Sequence, residues 1–84
     1  MSYYVYILKS EVKDRYYIGS CSDVEKRLER HNAGATPSTK PYRPWQVVYI
    51  EEYLSKTESL KREKYIKRMK SKTYIELLII KNKE

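Results

Sequence analysis

The sequence predicts an α+β domain: a three-stranded, mostly antiparallel sheet flanked by three helices in the order β-β-α-β-α-α. Three observations carry that expectation. Three short runs rich in tyrosine, valine and isoleucine have the length and composition of strands. Two Ser-x-x-Glu boxes, Ser22 to Glu25 and Ser55 to Glu58, each open a stretch of helical spacing. A chain of 84 residues has room for one core, so these elements belong to a single domain spanning 1–84.

The first run, Tyr3-Tyr4-Val5-Tyr6-Ile7-Leu8, is aromatic or aliphatic throughout, as in a strand covered on both faces. A polar turn over Lys9 to Arg15 connects it to Tyr16-Tyr17-Ile18-Gly19-Ser20-Cys21, a second strand close enough to form an antiparallel hairpin. Gly19 inside that strand signals a bulge or a close approach by a ligand or another backbone. Ser22 is placed to cap a helix running from about Asp23 to Ala33, with Val24 and Leu28 on its inner stripe and Gly34 ending it.

From Asn32 to Pro44 the chain holds all three prolines together with Gly34, which marks a surface loop of functional length. Trp45 to Tyr53 reads as a third strand, with Trp45, Val47, Tyr49 and Tyr53 on one face and Val48 and Ile50 on the other. Apolar residues on both faces suggest a central position in the sheet. A second helix runs from the Ser55 box to about Lys70. Ser71 caps a third that extends through Asn82, with Tyr74, Leu77, Leu78 and Lys81 as its inward face.

Ten tyrosines and one tryptophan with no phenylalanine give the core polar edges, because nearly every large ring carries a group that needs a partner. Net charge is +7 and unevenly placed. Residues 55–84 carry 10 Lys/Arg against 4 Asp/Glu, whereas residues 1–54 are nearly balanced at 8 against 7. Such asymmetry suits a polyanion, with nucleic acid ahead of an anionic membrane surface; a merely solvated basic face is the alternative. The single Cys21 allows neither an internal disulfide nor a thiolate metal site, in keeping with a reducing, cytoplasmic setting. The longest apolar run, Tyr3 to Leu8, is far short of a membrane span, and no export signal is expected.

Four groups of residues could carry chemistry. Arg27 and His31 are four apart on one face of the first helix, where an arginine fork can clamp phosphate; the alternative is a solvated face with a surface histidine. Glu63 shares a row with Leu60 and Ile66 in a helix crowded with cations, and either holds a divalent metal or pairs with Arg62 or Lys67. Tyr6 and Tyr17 on neighbouring strands could face one side of the sheet and act on a water, or simply fill the core. Ser38, Thr39, Lys40 and Arg43 in the long loop could add phosphate contacts, or the loop could be disordered.

Taken together, Tyr4-Val5-Tyr6, Tyr17-Ile18-Gly19, Arg27, His31 and Glu63 resemble the GIY-YIG nuclease superfamily. The resemblance extends over essentially the whole chain, including Arg43-Pro44-Trp45 and Leu60-Lys61-Arg62-Glu63, as in the small stand-alone bacterial members. Those are similar to the catalytic domain of a eukaryotic nuclease that cuts branched DNA. The resemblance implies magnesium- or manganese-dependent phosphodiester hydrolysis, with DNA as the expected partner. It assigns Glu63 to one divalent ion, Arg27 to the phosphoryl oxygens, Tyr6 or Tyr17 to the water, and His31 to proton transfer or orientation. Tyr4 replaces the glycine of the first motif, a departure expected to alter packing more than chemistry. Asn82, the only late asparagine, is assigned no role. A nucleic-acid-binding module that cleaves poorly or not at all is the runner-up expectation, and a protein-interaction domain the third.

Overall fold

A computed structural model describes residues 1–83, organised as β1 (Tyr3–Ser10), β2 (Tyr16–Cys21), α1 (Val24–Asn32), β3 (Trp45–Tyr53), α2 (Lys56–Met69) and α3 (Lys72–Lys83). The α+β expectation holds: one three-stranded antiparallel sheet, ordered β2-β1-β3, lies between α1 on one face and α2 with α3 on the other.

The central strand is β1, not β3. Val5, Tyr6, Ile7 and Leu8 are each no more than 1% exposed, so the run with no polar break is the one covered on both faces. Val5 and Ile7 pack with Ile66 of α2 and Ile75 of α3, while Tyr6 and Leu8 pack with Trp45 and the inner side of α1. The edge strand β3 reads as apolar on both faces because its alternation is interrupted. Ile7 pairs with Tyr49 but Leu8 with Val47, which leaves Val48 as the extra residue of a bulge. Trp45 and Val47 therefore join the α1 side, whereas Val48, Tyr49 and Tyr53 join the α2–α3 side, and Ile50 is exposed.

Two helix details differ from expectation. The cap of α1 is Asp23 rather than Ser22: its Oδ1 accepts from the Lys26 amide at 3.1 Å. In α3, Tyr74, Ile75, Leu78 and Ile79 face the core, while Leu77 and Lys81 face outward. Ser55 and Ser71 cap α2 and α3 as expected, accepting from the Glu58 and Tyr74 amides. At the end of α2, Lys70 adopts the left-handed region (φ 46°) that a glycine would occupy at less cost.

The segment between α1 and β3 is firmly attached. Asn32 grips the backbone of Trp45 from both sides, Oδ1 accepting from its amide at 2.6 Å and Nδ2 donating to its carbonyl at 3.1 Å. The Trp45 indole donates to the Thr39 carbonyl at 2.9 Å, and a short 3-10 turn spans Lys40–Tyr42. Polar core edges are met throughout: among the described residues no buried side-chain nitrogen or oxygen lacks a partner.

Candidate active site

The site is built on the hairpin. Tyr6 of β1 stands directly opposite Gly19 of β2, and Tyr17 lies diagonally across on the same face, with ring centroids 6.3 Å apart. Gly19 answers a close approach, made by a side chain rather than a backbone or ligand. A Cβ there would lie 2.6 Å from the Tyr6 hydroxyl, so the phenol rests where glycine leaves room.

Helix α1 closes over this pair. His31, only 3% exposed, lies against Tyr17 with the two rings tilted by 57° and 4.7 Å between centroids, and its Nε2 is 3.3 Å from the Tyr6 hydroxyl. Its other nitrogen, Nδ1, is 2.9 Å from Thr39 Oγ1, which donates its own proton to the Thr36 carbonyl at 3.2 Å. Thr39 Oγ1 therefore accepts from Nδ1–H, which leaves Nε2 as the acceptor for the Tyr6 hydroxyl. A directed chain runs Tyr6 to His31 to Thr39 to Thr36.

Electrostatics favours the neutral form of the first two members of this chain. Burial pushes the Tyr6 phenol well above its ordinary value, with Tyr17, Cys21 and Glu63 adding to the rise and Arg27 opposing it. Burial likewise lowers the His31 imidazole, helped by the positive charges of Arg27 and Arg30. The two residues share a helix face but not an environment. Arg27 is exposed, whereas His31 is interior rather than on a solvated surface.

Where β2 runs into α1 opens a cleft of about 240 Å³, lined by Tyr3, Ser20, Cys21, Ser22 and Arg27 on one side and by Lys56, Ser59 and Leu60 of α2 on another. Glu63 lies one turn along α2 from Leu60 and reaches the same strand end: its Oε1 accepts from Ser20 Oγ at 2.5 Å. Its Oε2 accepts from Lys67 Nζ at 2.6 Å, the ion pair weighed from the sequence, while Arg62 turns to Glu51 instead. Lys56 and Ser20 were not singled out from the sequence; Lys56 is one of many lysines there, and only the fold sets it across the cleft from Arg27.

The loop residues separate. Ser38, Lys40 and Arg43 are exposed. Thr39 is corrected: at 1% exposure, with its hydroxyl committed to His31 and Thr36, it is an interior support and not a phosphate contact. Asn82 borders β3 near Val47 to Ile50, in a depression whose lining shares no residue with the cleft.

Residues 2–75 match the family model described as the GIY-YIG catalytic domain. The chain belongs to the GIY-YIG family. Among its relatives, a UPF0213 protein of Staphylococcus saprophyticus is 39% identical over 77 residues, covering 90% of this chain and 93% of that one. A UPF0213 protein of Staphylococcus aureus is 45% identical over 67 residues, covering 79% and 80%. The solution structure of the UPF0213 protein BH0048 from Bacillus halodurans superposes with a TM-score of 0.59 at 30% identity, covering 94% of this chain and 83% of its own. Of the two motif segments that the sequence resemblance rests on, Tyr4-Val5-Tyr6 lies on β1 and Tyr17-Ile18-Gly19 on β2, and they meet where Tyr6 pairs with Gly19. The family is one of nucleases, and these relatives place the chain among its small single-domain members.

The donor set fits a single hard cation. Among the described residues no group of three or more His, Cys, Asp or Glu side chains could cage a metal, so Glu63 stands as a lone carboxylate. Magnesium and manganese accept such a site, keeping waters and taking substrate oxygens as their remaining ligands. Lys67 is half exposed on a flexible stem and can yield Oε2, since surface ion pairs of this kind contribute little.

Proposed function

We propose that this protein is a divalent-metal-dependent endonuclease that hydrolyses phosphodiester bonds in DNA at branches, flaps or single-stranded regions, working in the cytoplasm. The observation that supports the reading best is the hydrogen-bonded Tyr6–His31 pair set against Gly19, whose neighbour Ser20 lines the cleft with Arg27 and donates to Glu63, each group supplied by a different or non-adjacent part of the chain.

Hydrolysis needs a water deprotonated as it attacks and relief of the charge that grows on the phosphoryl oxygens. Tyr6 is closed to bulk solvent, so the water it meets is one enclosed with the substrate. Its high proton affinity makes the phenolate a strong base but a scarce one. The neutral His31 Nε2 removes that obstacle by drawing the phenol proton away as Tyr6 takes one from water. Tyr17, half-buried beside both rings, orients the water. Arg27 and Lys56 hold non-bridging phosphate oxygens from opposite sides of the cleft. Glu63 would hold magnesium or manganese, and the ion would supply charge neutralisation at the scissile phosphate. Ser38, Lys40 and Arg43 contact flanking phosphates from the loop.

A labelled panel of duplex, single-stranded, flap and branched DNA, incubated with magnesium or manganese, tests this reading. Metal-dependent products that vanish in Glu63→Ala, with binding nearly intact, are expected. Equal cleavage by the variant would refute the assignment. The second reading, a binding module that does not cut, draws on the Lys67 ion pair that occupies Glu63 Oε2; absence of products from every substrate would favour it.

A further inference from the structure

The solvent face of α2 bears a feature that the cleft does not use. Lys61, Lys64, Tyr65 and Arg68 recur at helical spacing and line a shallow groove of about 240 Å³. The described ion pairs are Glu51 with Arg62, Glu63 with Lys67 and Asp14 with Lys72, so Lys61, Lys64 and Arg68 have no carboxylate among the described residues.

In their midst the Tyr65 ring is 48% exposed, yet it is held in place. Tyr74 meets it edge-on at 6.2 Å, and the Arg62 guanidinium sits 5.4 Å from its centroid. Arg62 is itself locked by a two-pronged bond to Glu51, Nε to Oε1 at 3.0 Å and Nη2 to Oε2 at 3.1 Å. A fixed, open aromatic ring among unpaired cations is the composition of a stacking platform for unpaired bases, with lysines and arginine meeting the backbone phosphates. At roughly 100° per residue, Lys67, Lys64, Arg68 and Lys61 follow one another round the helix away from the side that carries Glu63. That band leads from the cleft to Tyr65.

We propose that the outer face of α2 is a docking track for a single-stranded segment of nucleic acid leaving the cleft, with Lys61, Lys64 and Arg68 on its phosphates and Tyr65 stacked on a base. The inference rests on the nucleic-acid reading of the site.

Binding of a fluorescein-labelled thymidine oligomer, measured by anisotropy in EDTA so that nothing is cut, tests it against salt concentration. Replacing Lys61, Lys64 and Arg68 together by glutamine should lower the slope of log affinity against log salt by about 2, at roughly 0.7 per phosphate contact on a single strand. Tyr65→Leu should weaken single-strand binding on the order of tenfold and leave a duplex of the same length little changed, while Tyr65→Phe retains affinity. Unchanged slope in the triple variant, equal loss for both DNA forms in Tyr65→Leu, or no binding by the wild type would each overturn the track. Manganese-supported hydrolysis of bis(4-nitrophenyl) phosphate, which fills only the cleft, should be the same in wild type and triple variant. Oligomer affinity lost in the triple variant while the wild type hydrolyses nothing would sink the nuclease reading and keep the track. Cleavage that depends on Glu63 with oligomer binding untouched by the triple variant would do the reverse.

Discussion

Placing a methyl group at Gly19 probes the hairpin where fold and chemistry meet. In Gly19→Ala the new Cβ would lie 2.6 Å from the Tyr6 hydroxyl, 2.7 Å from Cζ and 3.1 Å from Tyr17 Cε2. Tyr6 is 1% exposed and packed with Leu8 and Trp45, so its ring has no solvent into which to swing. Overpacking of this kind costs about 1–3 kcal/mol. For a domain of this size that lowers the melting temperature on the order of 10 °C. Urea unfolding followed by the fluorescence of Trp45, the only tryptophan, measures the cost directly. A double-mutant cycle isolates its origin: in a Tyr6→Leu background, where the long ring is gone, most of the Gly19→Ala penalty should disappear. The displaced phenol also parts from His31, so cleavage should fall further than stability accounts for. An alanine at 19 that costs nothing, or costs the same with and without the Tyr6 ring, would refute the close-approach explanation.

Other outcomes follow from the same geometry. Thr39→Val keeps the shape but strands the His31 Nδ1–H, while the Thr36 carbonyl keeps the Thr39 and Lys40 amides; a loss of about 1–2 kcal/mol in melting experiments is expected, with Thr39→Ser restoring the wild-type pH profile of cleavage. His31 is held neutral with its proton affinity below the ordinary 6.5, so its contribution is intact above that pH and is lost as pH falls through the acid range below it. Denaturant titrations at stepped pH should show this decline, and His31→Gln should remove it. Tyr49 and Tyr53, raised to about 12 by burial and by donating to Glu51, contribute stability that is present below pH 10 and lost as pH rises toward 12. Lys70→Gly relieves a left-handed backbone and should raise stability on the order of 1 kcal/mol by the same assay.

Most of the architecture was legible because the sequence marks it locally. The uninterrupted Tyr3 to Leu8 run announced a strand buried on both faces, and Ser55 and Ser71 announced their helices through side chains that cap the next turn. Sheet order was not legible. Apolar residues on both faces of β3 arise from a bulge at Val48 that exchanges faces midway, and a single sequence does not distinguish such an edge strand from a central one. The inward face of α3 was misplaced because Tyr74 to Ile80 is almost wholly apolar, so periodicity hardly discriminates Ile75 from Leu77. Within the candidate site, residue types and motif spacing drew attention to Tyr6, Tyr17, Arg27, His31 and Glu63. Thr39 was invisible in its actual role, since a hydroxyl in a proline-rich loop carries no sign that a helix eight residues earlier will supply it with a histidine.

Single-turnover cleavage by Tyr6→Phe tests the proposed chemistry most directly, because the substitution removes one oxygen and leaves the ring, Gly19 and the sheet register in place. Loss of about a hundredfold or more in the cleavage rate, the usual contribution of a positioned acid–base group, is expected with DNA affinity preserved. A Tyr6→Phe protein that cuts at the wild-type rate would contradict the Tyr6–His31 proton path at the centre of the proposed mechanism.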